Sequence, residues 1–171
     1  VTKKFLAIDF ETANVSPESA CALGLVLVED GKIKATEHFL IQPPTPYFQF
    51  TYIHGITWKD VERAENFAEL WPKISPWFQD VELICAHNAG FDRRVLEACC
   101  TRFNITPPTS PYQCTVKLAR ETWNLYPTNL PRVCEFLGIE LKHHEALSDA
   151  RACATIAIQA FGMPPVTVAV P

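Results

Sequence analysis

Four acids and one histidine carry most of the chemistry this chain can offer. Asp9 and Glu11 end the run Phe5-Leu6-Ala7-Ile8-Asp9-Phe10-Glu11. Strand side chains alternate, so residues two apart project from one face. Two carboxylates on one face repel unless a cation or a proton lies between them. On its own, Asp-x-Glu reads equally well as a solvated strand end. Asp92 follows His87-Asn88-Ala89-Gly90-Phe91 and falls in the first turn of an expected helix. There it either complements the helix dipole or lies at the carboxyl edge of a sheet, where ligand sites gather. Asp149 comes five residues after His144. Five helical steps turn by roughly 140°, so the two can meet only if His144 lies in the preceding loop. His143 beside it keeps open the reading of a surface histidine pair.

These residues need elements to position them. Strands are expected over Phe5–Phe10, Ala22–Val28 and Ile33–Ile41, the last two joined by the hairpin signal Glu29-Asp30-Gly31-Lys32. Pro43, Pro44 and Pro46 interrupt regular structure. Thr57 to Asp60 fits a capped helix start, and a helix over Phe67–Phe78 is disturbed by Pro72 and Pro76. Glu82–Ala86 reads as a buried strand, with Asn88 capping a helix over Ala89–Arg102. A short extended piece, Tyr112–Thr115, precedes helices over Val116–Trp123 and Leu130–Leu137, and Gly138 stops the second. The last helix runs from Ala146 to Phe161, rich in small residues that allow close packing on a sheet. A hairpin followed by alternating helices and strands gives an α/β sandwich with a mixed sheet.

The 171 residues suffice for one domain that buries a core without disulfides. Residues 1–163 are assigned to it. The tail 164–171 is a Pro-rich linker stub or a frayed end. Seven cysteines, an odd number with no Cys-x-x-Cys pair, read as free thiols of a reducing cytoplasm rather than a zinc site. No apolar run is long enough to span a membrane, and the N-terminal apolar run is too short for a signal peptide. The net charge of −4 argues against a protein that grips long nucleic acid by a basic track. It leaves room for a nuclease, because cations bound at a carboxylate-rich site supply the missing positive charge.

Each fragment is weak alone, but the ordered set is specific. Asp-Phe-Glu-Thr, then His-Asn-Ala-Gly-Phe-Asp, then His-His-Glu-Ala-Leu-Ser-Asp-Ala-Arg-Ala resembles the DnaQ-like 3′–5′ exonucleases, the histidine-containing branch of the DEDD superfamily. The likeness runs from Phe5 to about Phe161 and includes Ile53-His54-Gly55-Ile56-Thr57. It implies a ribonuclease H-like fold, a five-stranded mixed sheet flanked by helices. It also implies that Asp9, Glu11, Asp92 and Asp149 bind two Mg²⁺ ions, replaceable by Mn²⁺, and that His144 acts as general base. Thr12 matches a residue that holds the terminal nucleotide. Phe10, His54 and Phe91 complete the expected substrate-binding set, Phe10 with core packing as its simpler reading. The chain departs from the common Asp-x-Glu-Thr-Thr-Gly at Ala13-Asn14.

That chemistry is coherent. Phosphodiester hydrolysis loads negative charge on the attacking and leaving oxygens, which a pair of divalent ions stabilises. Hard oxygen ligands suit Mg²⁺, and histidine suits proton removal from water near neutral pH. The expected activity is release of nucleoside 5′-monophosphates from 3′ ends, DNA ahead of RNA. Single-stranded ends are the expected partner, with a further domain or a polymerase as a second one. A ribonuclease H-type endonuclease and a non-catalytic nucleic-acid-binding module are the competing readings.

Overall fold

The computed structural model describes residues 2–162. Its centre is β1 (Lys4–Thr12), flanked by antiparallel β2 (Ala20–Glu29) and parallel β4 (Leu83–Ala86). β3 (Lys32–Leu40) and β5 (Tyr112–Cys114) close the edges, giving the order β3-β2-β1-β4-β5. β1 and β2 are almost continuously apolar because helices cover both sheet faces. β3 is lysine-bearing and largely exposed, as suits an edge strand. Asp30 and Gly31 both have positive φ (48° and 72°), the turn that joins β2 to β3 with the correct twist.

Alternation along β1 assigns the faces. Leu6, Ile8 and Phe10 pack with α3 (Phe67–Ile74) and α4 (Ala89–Arg102). Phe5 and Ala7 pack under α7 (Ala146–Gly162) through Ala150, Cys153, Ala154 and Ala157. Asp9 and Glu11 continue this second face, so they point toward the start of α7. Helices α5 (Thr115–Trp123) and α6 (Leu130–Leu137) pack on the far side of α7.

β1 extends two residues beyond the expected strand, so both acids lie within it rather than at its end. The expected helix over 67–78 is divided into α3 and a 3₁₀ turn, Ser75–Phe78. Pro76 has no N–H to continue the α-helical ladder. The segment 51–61 holds two short helices, α1 (Thr51–His54) and α2 (Trp58–Val61). Thr57 opens α2 as expected, its N–H donating to Asp60 Oδ2 at 2.8 Å. Asn88 precedes α4 but makes no side-chain cap, since its left-handed backbone (φ 62°) does not present the side chain to the helix amides. All seven cysteines are free, six of them buried and Cys114 half-buried. The tail 164–171 lies outside the described residues.

Candidate active site

Asp9 and Glu11 from β1 and Asp149 from α7 offer carboxylate oxygens that all lie within 4.8 Å of one another. Asp92 stands beside them from the first turn of α4, its Oδ1 accepting the Phe10 N–H at 2.9 Å. Burial, then the charges of Asp92, Asp149 and Glu11, push Asp9 well above the usual carboxylate range. Burial raises Glu11 to about 8, with Asp149 and Asp92 adding to it. Asp92 also rises to about 8 through burial, although the Phe10 amide pulls it back. Burial raises Asp149 against the opposing pull of His143 and the His144 amide. Asp9 Oδ2 is buried without a hydrogen-bond partner. An orphaned carboxylate oxygen among three other acids is costly, and an all-oxygen donor set of this kind fits Mg²⁺ or Mn²⁺.

His144 lies in the loop before α7, with φ 68°. That left-handed turn resolves the angular conflict of the five-residue spacing. The His144 N–H donates to Asp149 Oδ2 at 3.1 Å. The side chain that reaches the carboxylate is His143, whose Nδ1 lies 3.1 Å from Oδ2 and 3.4 Å from Oδ1. The two imidazoles stack with centroids 3.7 Å apart.

A cleft of about 680 Å³ opens over the acids, lined among others by His87, Phe91, Arg120, Thr128 and both histidines. The histidine pair also borders a second hollow of about 350 Å³, together with His38, Leu40, His54 and Lys142. Thr12 is buried, and its carbonyl accepts from His54 Nε2 at 2.9 Å. The Ile56 N–H donates to His54 Nδ1 at 3.0 Å. These two bonds require the neutral imidazole with its proton on Nε2, and burial lowers the His54 pKa accordingly. Phe91 faces the cleft, whereas the Phe10 ring is buried in the core at 3% exposure. Strand alternation turns Phe10 away from the acids, so its contribution is the amide that holds Asp92 rather than a ring for substrate. Ala13 and Asn14, where the chain departs from the common motif, anchor the loop after β1. The Ala13 carbonyl accepts from the Gln49 and Phe50 amides, and Asn14 Nδ2 donates to the Tyr47 carbonyl at 2.9 Å.

Residues 6–157 match the exonuclease family model. The chain belongs to the exonuclease family, within its DEDD type. It is 33% identical over 169 residues to exodeoxyribonuclease 10 of Escherichia coli K12, covering 88% of this chain and 66% of that protein. It is 32% identical over 156 residues to the PolC-type DNA polymerase III of Thermotoga maritima, covering 89% of this chain. The match spans only 11% of that polymerase's length. Among solved structures, exonuclease X in complex with 5′-overhanging duplex DNA superposes with a TM-score of 0.72 at 26% identity, over 92% of this chain and 91% of that one. E. coli exonuclease I bound to a dA16 oligonucleotide shares the fold, with a TM-score of 0.79 at 20% identity over 94% of this chain and 41% of that one. The ribonuclease H-like, five-stranded mixed sheet expected from the sequence is thus the fold of this exonuclease-family chain.

Sequence reasoning passed over one wall of the cleft. His87 Nε2 lies 2.8 Å from the Thr128 carbonyl and its Nδ1 lies 2.8 Å from Thr115 Oγ1. Arg120 Nε donates to Thr128 Oγ1 at 2.9 Å, and its guanidinium lies over Tyr126. The available signal was positional: His87 directly follows a parallel strand, and Arg120 is four residues after Val116, which lines the same cleft. Arg93, next to Asp92, pairs with Glu97 at 2.9 Å along the exposed face of α4.

Proposed function

We propose that this exonuclease-family chain is a metal-dependent 3′–5′ exonuclease that removes nucleoside 5′-monophosphates from 3′ ends, DNA ahead of RNA. The observation that carries the reading is the buried, unpartnered Asp9 Oδ2 within a cluster of acids raised by burial and mutual repulsion. Asp9, Glu11, Asp92 and Asp149 would hold two Mg²⁺ ions, with Mn²⁺ as a substitute. Bound there, such ions supply positive charge to the attacking and leaving oxygens.

The chain's own residues do the rest. His144 takes the proton of the attacking water. Burial and the neighbouring His143 lower its pKa, which keeps the imidazole in its proton-accepting form near neutral pH. Thr12, kept in place through its carbonyl by His54, meets the terminal sugar, and Phe91 presents an apolar wall to the terminal base. The Phe10 amide keeps the Asp92 carboxylate turned to the site.

A DNA substrate is supported by the duplex with a 5′ overhang on exonuclease X and the deoxyoligonucleotide on exonuclease I. Residues 1–163 act as the catalytic unit, in the cytoplasm, where seven free thiols stay reduced. The PolC-type relatives, much longer than this chain, support a polymerase or a further domain as partner.

The test is digestion of 5′-labelled single-stranded DNA and RNA of matched sequence with Mg²⁺, Mn²⁺ or EDTA. A ladder shortening from the 3′ end, abolished by EDTA and by a blocked 3′ terminus, is expected, with DNA degraded faster. Internal cleavage of blocked strands would make the chain an endonuclease, and metal binding without cleavage would make it a binding module.

A further inference from the structure

We infer that His143, His144 and Asp149 form a site for Zn²⁺, distinct in its ligands from the oxygen-only cluster and sharing only Asp149 with it. One ligand atom from each of the three lies within 4.8 Å of the others. His143 Nδ1 and Asp149 Oδ2 are 3.1 Å apart. Two ligands about 2.0–2.1 Å from a tetrahedral Zn²⁺ stand about 3.3 Å apart, so this pair is close to a ready bite. The His144 amide holds Oδ2 in that position at 3.1 Å. The His144 ring must leave its stack on His143 to direct a lone pair at the same ion, and it has room, since it borders both hollows. Both hollows admit water, which completes the coordination.

Donor chemistry separates the two sites. Two imidazoles and one carboxylate match Zn²⁺, whereas Mg²⁺ keeps to oxygen ligands and water. The oxygen triad Asp9, Glu11 and Asp149 contains no nitrogen donor. Zn²⁺ held by the histidine pair occupies Asp149 Oδ2 and the lone pair of His144. Zinc binding therefore takes an Asp149 oxygen and the proton-accepting His144 away from the Mg²⁺-supported reaction, which makes the site inhibitory. This consequence rests on the function proposed above; the binding itself does not.

The test is calorimetric titration of the full, metal-free chain with Zn²⁺ at neutral pH, paired with Co²⁺ absorption spectroscopy. Wild type should bind one tight Zn²⁺ and show Co²⁺ ligand-field bands without a thiolate charge-transfer band. His143→Ala and His144→Ala should each weaken Zn²⁺ by about tenfold or more, while Glu11→Gln shifts it by less than about threefold. Circular dichroism checks that each variant is folded, and His143→Gln repeats the test with a polar side chain of similar reach. Zn²⁺ affinity in both folded His143 variants within about threefold of wild type overturns the site. So does a loss in Glu11→Gln as large as in His143→Ala, which would put the ion among the oxygens. Mg²⁺-supported cleavage by wild type is measured separately. A chain that binds Zn²⁺ through the histidines but never cleaves leaves this site standing and removes the proposed function. An active chain without such binding does the reverse.

Discussion

Gly24 lies directly beneath the carbonyl of Ala146. A Cβ on Gly24 would stand 2.4 Å from that oxygen and 2.6 Å from its carbon. Gly24 also pairs with Asp9 across the β1–β2 ladder. The start of α7 therefore rests on bare backbone next to the first acid, and this close approach brings Asp149 within reach of Asp9 and Glu11.

Gly24→Ala should accordingly damage the site more than the fold. The added methyl meets backbone, which moves only as a whole turn. Overpacking of this kind costs about 1–3 kcal/mol, and a shift of Asp149 by about 1 Å is enough to lower turnover by about a hundredfold. Thermal melts and initial rates on a labelled oligonucleotide measure the two effects. Full activity in the folded variant would show that α7 does not depend on this contact.

The acids make a prediction about pH in the metal-free protein. Glu11 and Asp92 titrate at about 8 and Asp9 is also raised, all through burial first. Unfolded carboxyls titrate near pH 4. Between about pH 4 and 8 the folded state holds protons that the unfolded state has released, so stability falls as pH rises through that range. His54, His87 and His144, with lowered pKa values, act the other way, losing stability as pH falls below about 6.5. Above about pH 6.5 the histidine contribution fades and the acids dominate up to about pH 8, so the melting temperature without metal should drop. Mg²⁺ should cancel the drop by replacing the shared protons. A flat profile in EDTA would mean that the four carboxyls are not crowded as described.

Asp9→Asn follows from the same crowding. Buried Asp9 holds a proton in the metal-free fold that the unfolded chain releases above about pH 4, and an amide carries no such cost, so at neutral pH the metal-free variant should melt higher than wild type. The same exchange should abolish cleavage and weaken Mn²⁺ binding by about tenfold or more, because a carboxylate ligand is lost. Calorimetry and melts in EDTA test both halves. A variant that is less stable without metal would contradict the electrostatic account.

The two acids of β1 were legible because strand alternation is local, and the acids of α4 and α7 because each sits in a first turn after a recognisable boundary. What stayed hidden depends on backbone states that residue type does not announce. The positive φ of His144 and Asn88 is one such case. It turned His143 toward Asp149 and left Asn88 without a cap. The Thr12–His54–Ile56 linkage was hidden for another reason: it joins segments 42 residues apart through a ring whose tautomer is set only by its partners.

His54→Phe removes both bonds of that linkage while keeping an aromatic ring. Each bond is worth about 1 kcal/mol, so a modest loss of stability is expected. The larger effect should fall on KM, raised about tenfold, because Thr12 loses its support while the acids keep theirs. Steady-state kinetics on oligonucleotides separate the two constants. A fall in kcat with unchanged KM would place His54 with the reacting groups instead.

Arg120 supplies the last prediction. Among the described residues lining the acid-bearing cleft it is the one Lys or Arg. It is exposed, and its Nε is committed to Thr128. In the proposed reaction cations would answer the scissile phosphate, but the next phosphate along the strand would need a positive partner of its own, and a guanidinium suits phosphate. Arg120→Gln should raise KM for an oligonucleotide with little change in kcat. It should also flatten the dependence of log KM on log salt concentration by about 0.7, the share of one phosphate on a single strand. Hydrolysis of a nitrophenyl ester of thymidine 5′-monophosphate, which carries no second phosphate, should not change. A variant that loses both substrates equally would make Arg120 a support for the Thr128 wall and nothing more. Thr128→Val separates the cases further, since it frees Arg120 from the wall without removing its charge. In that variant the salt dependence should remain that of wild type even if KM moves.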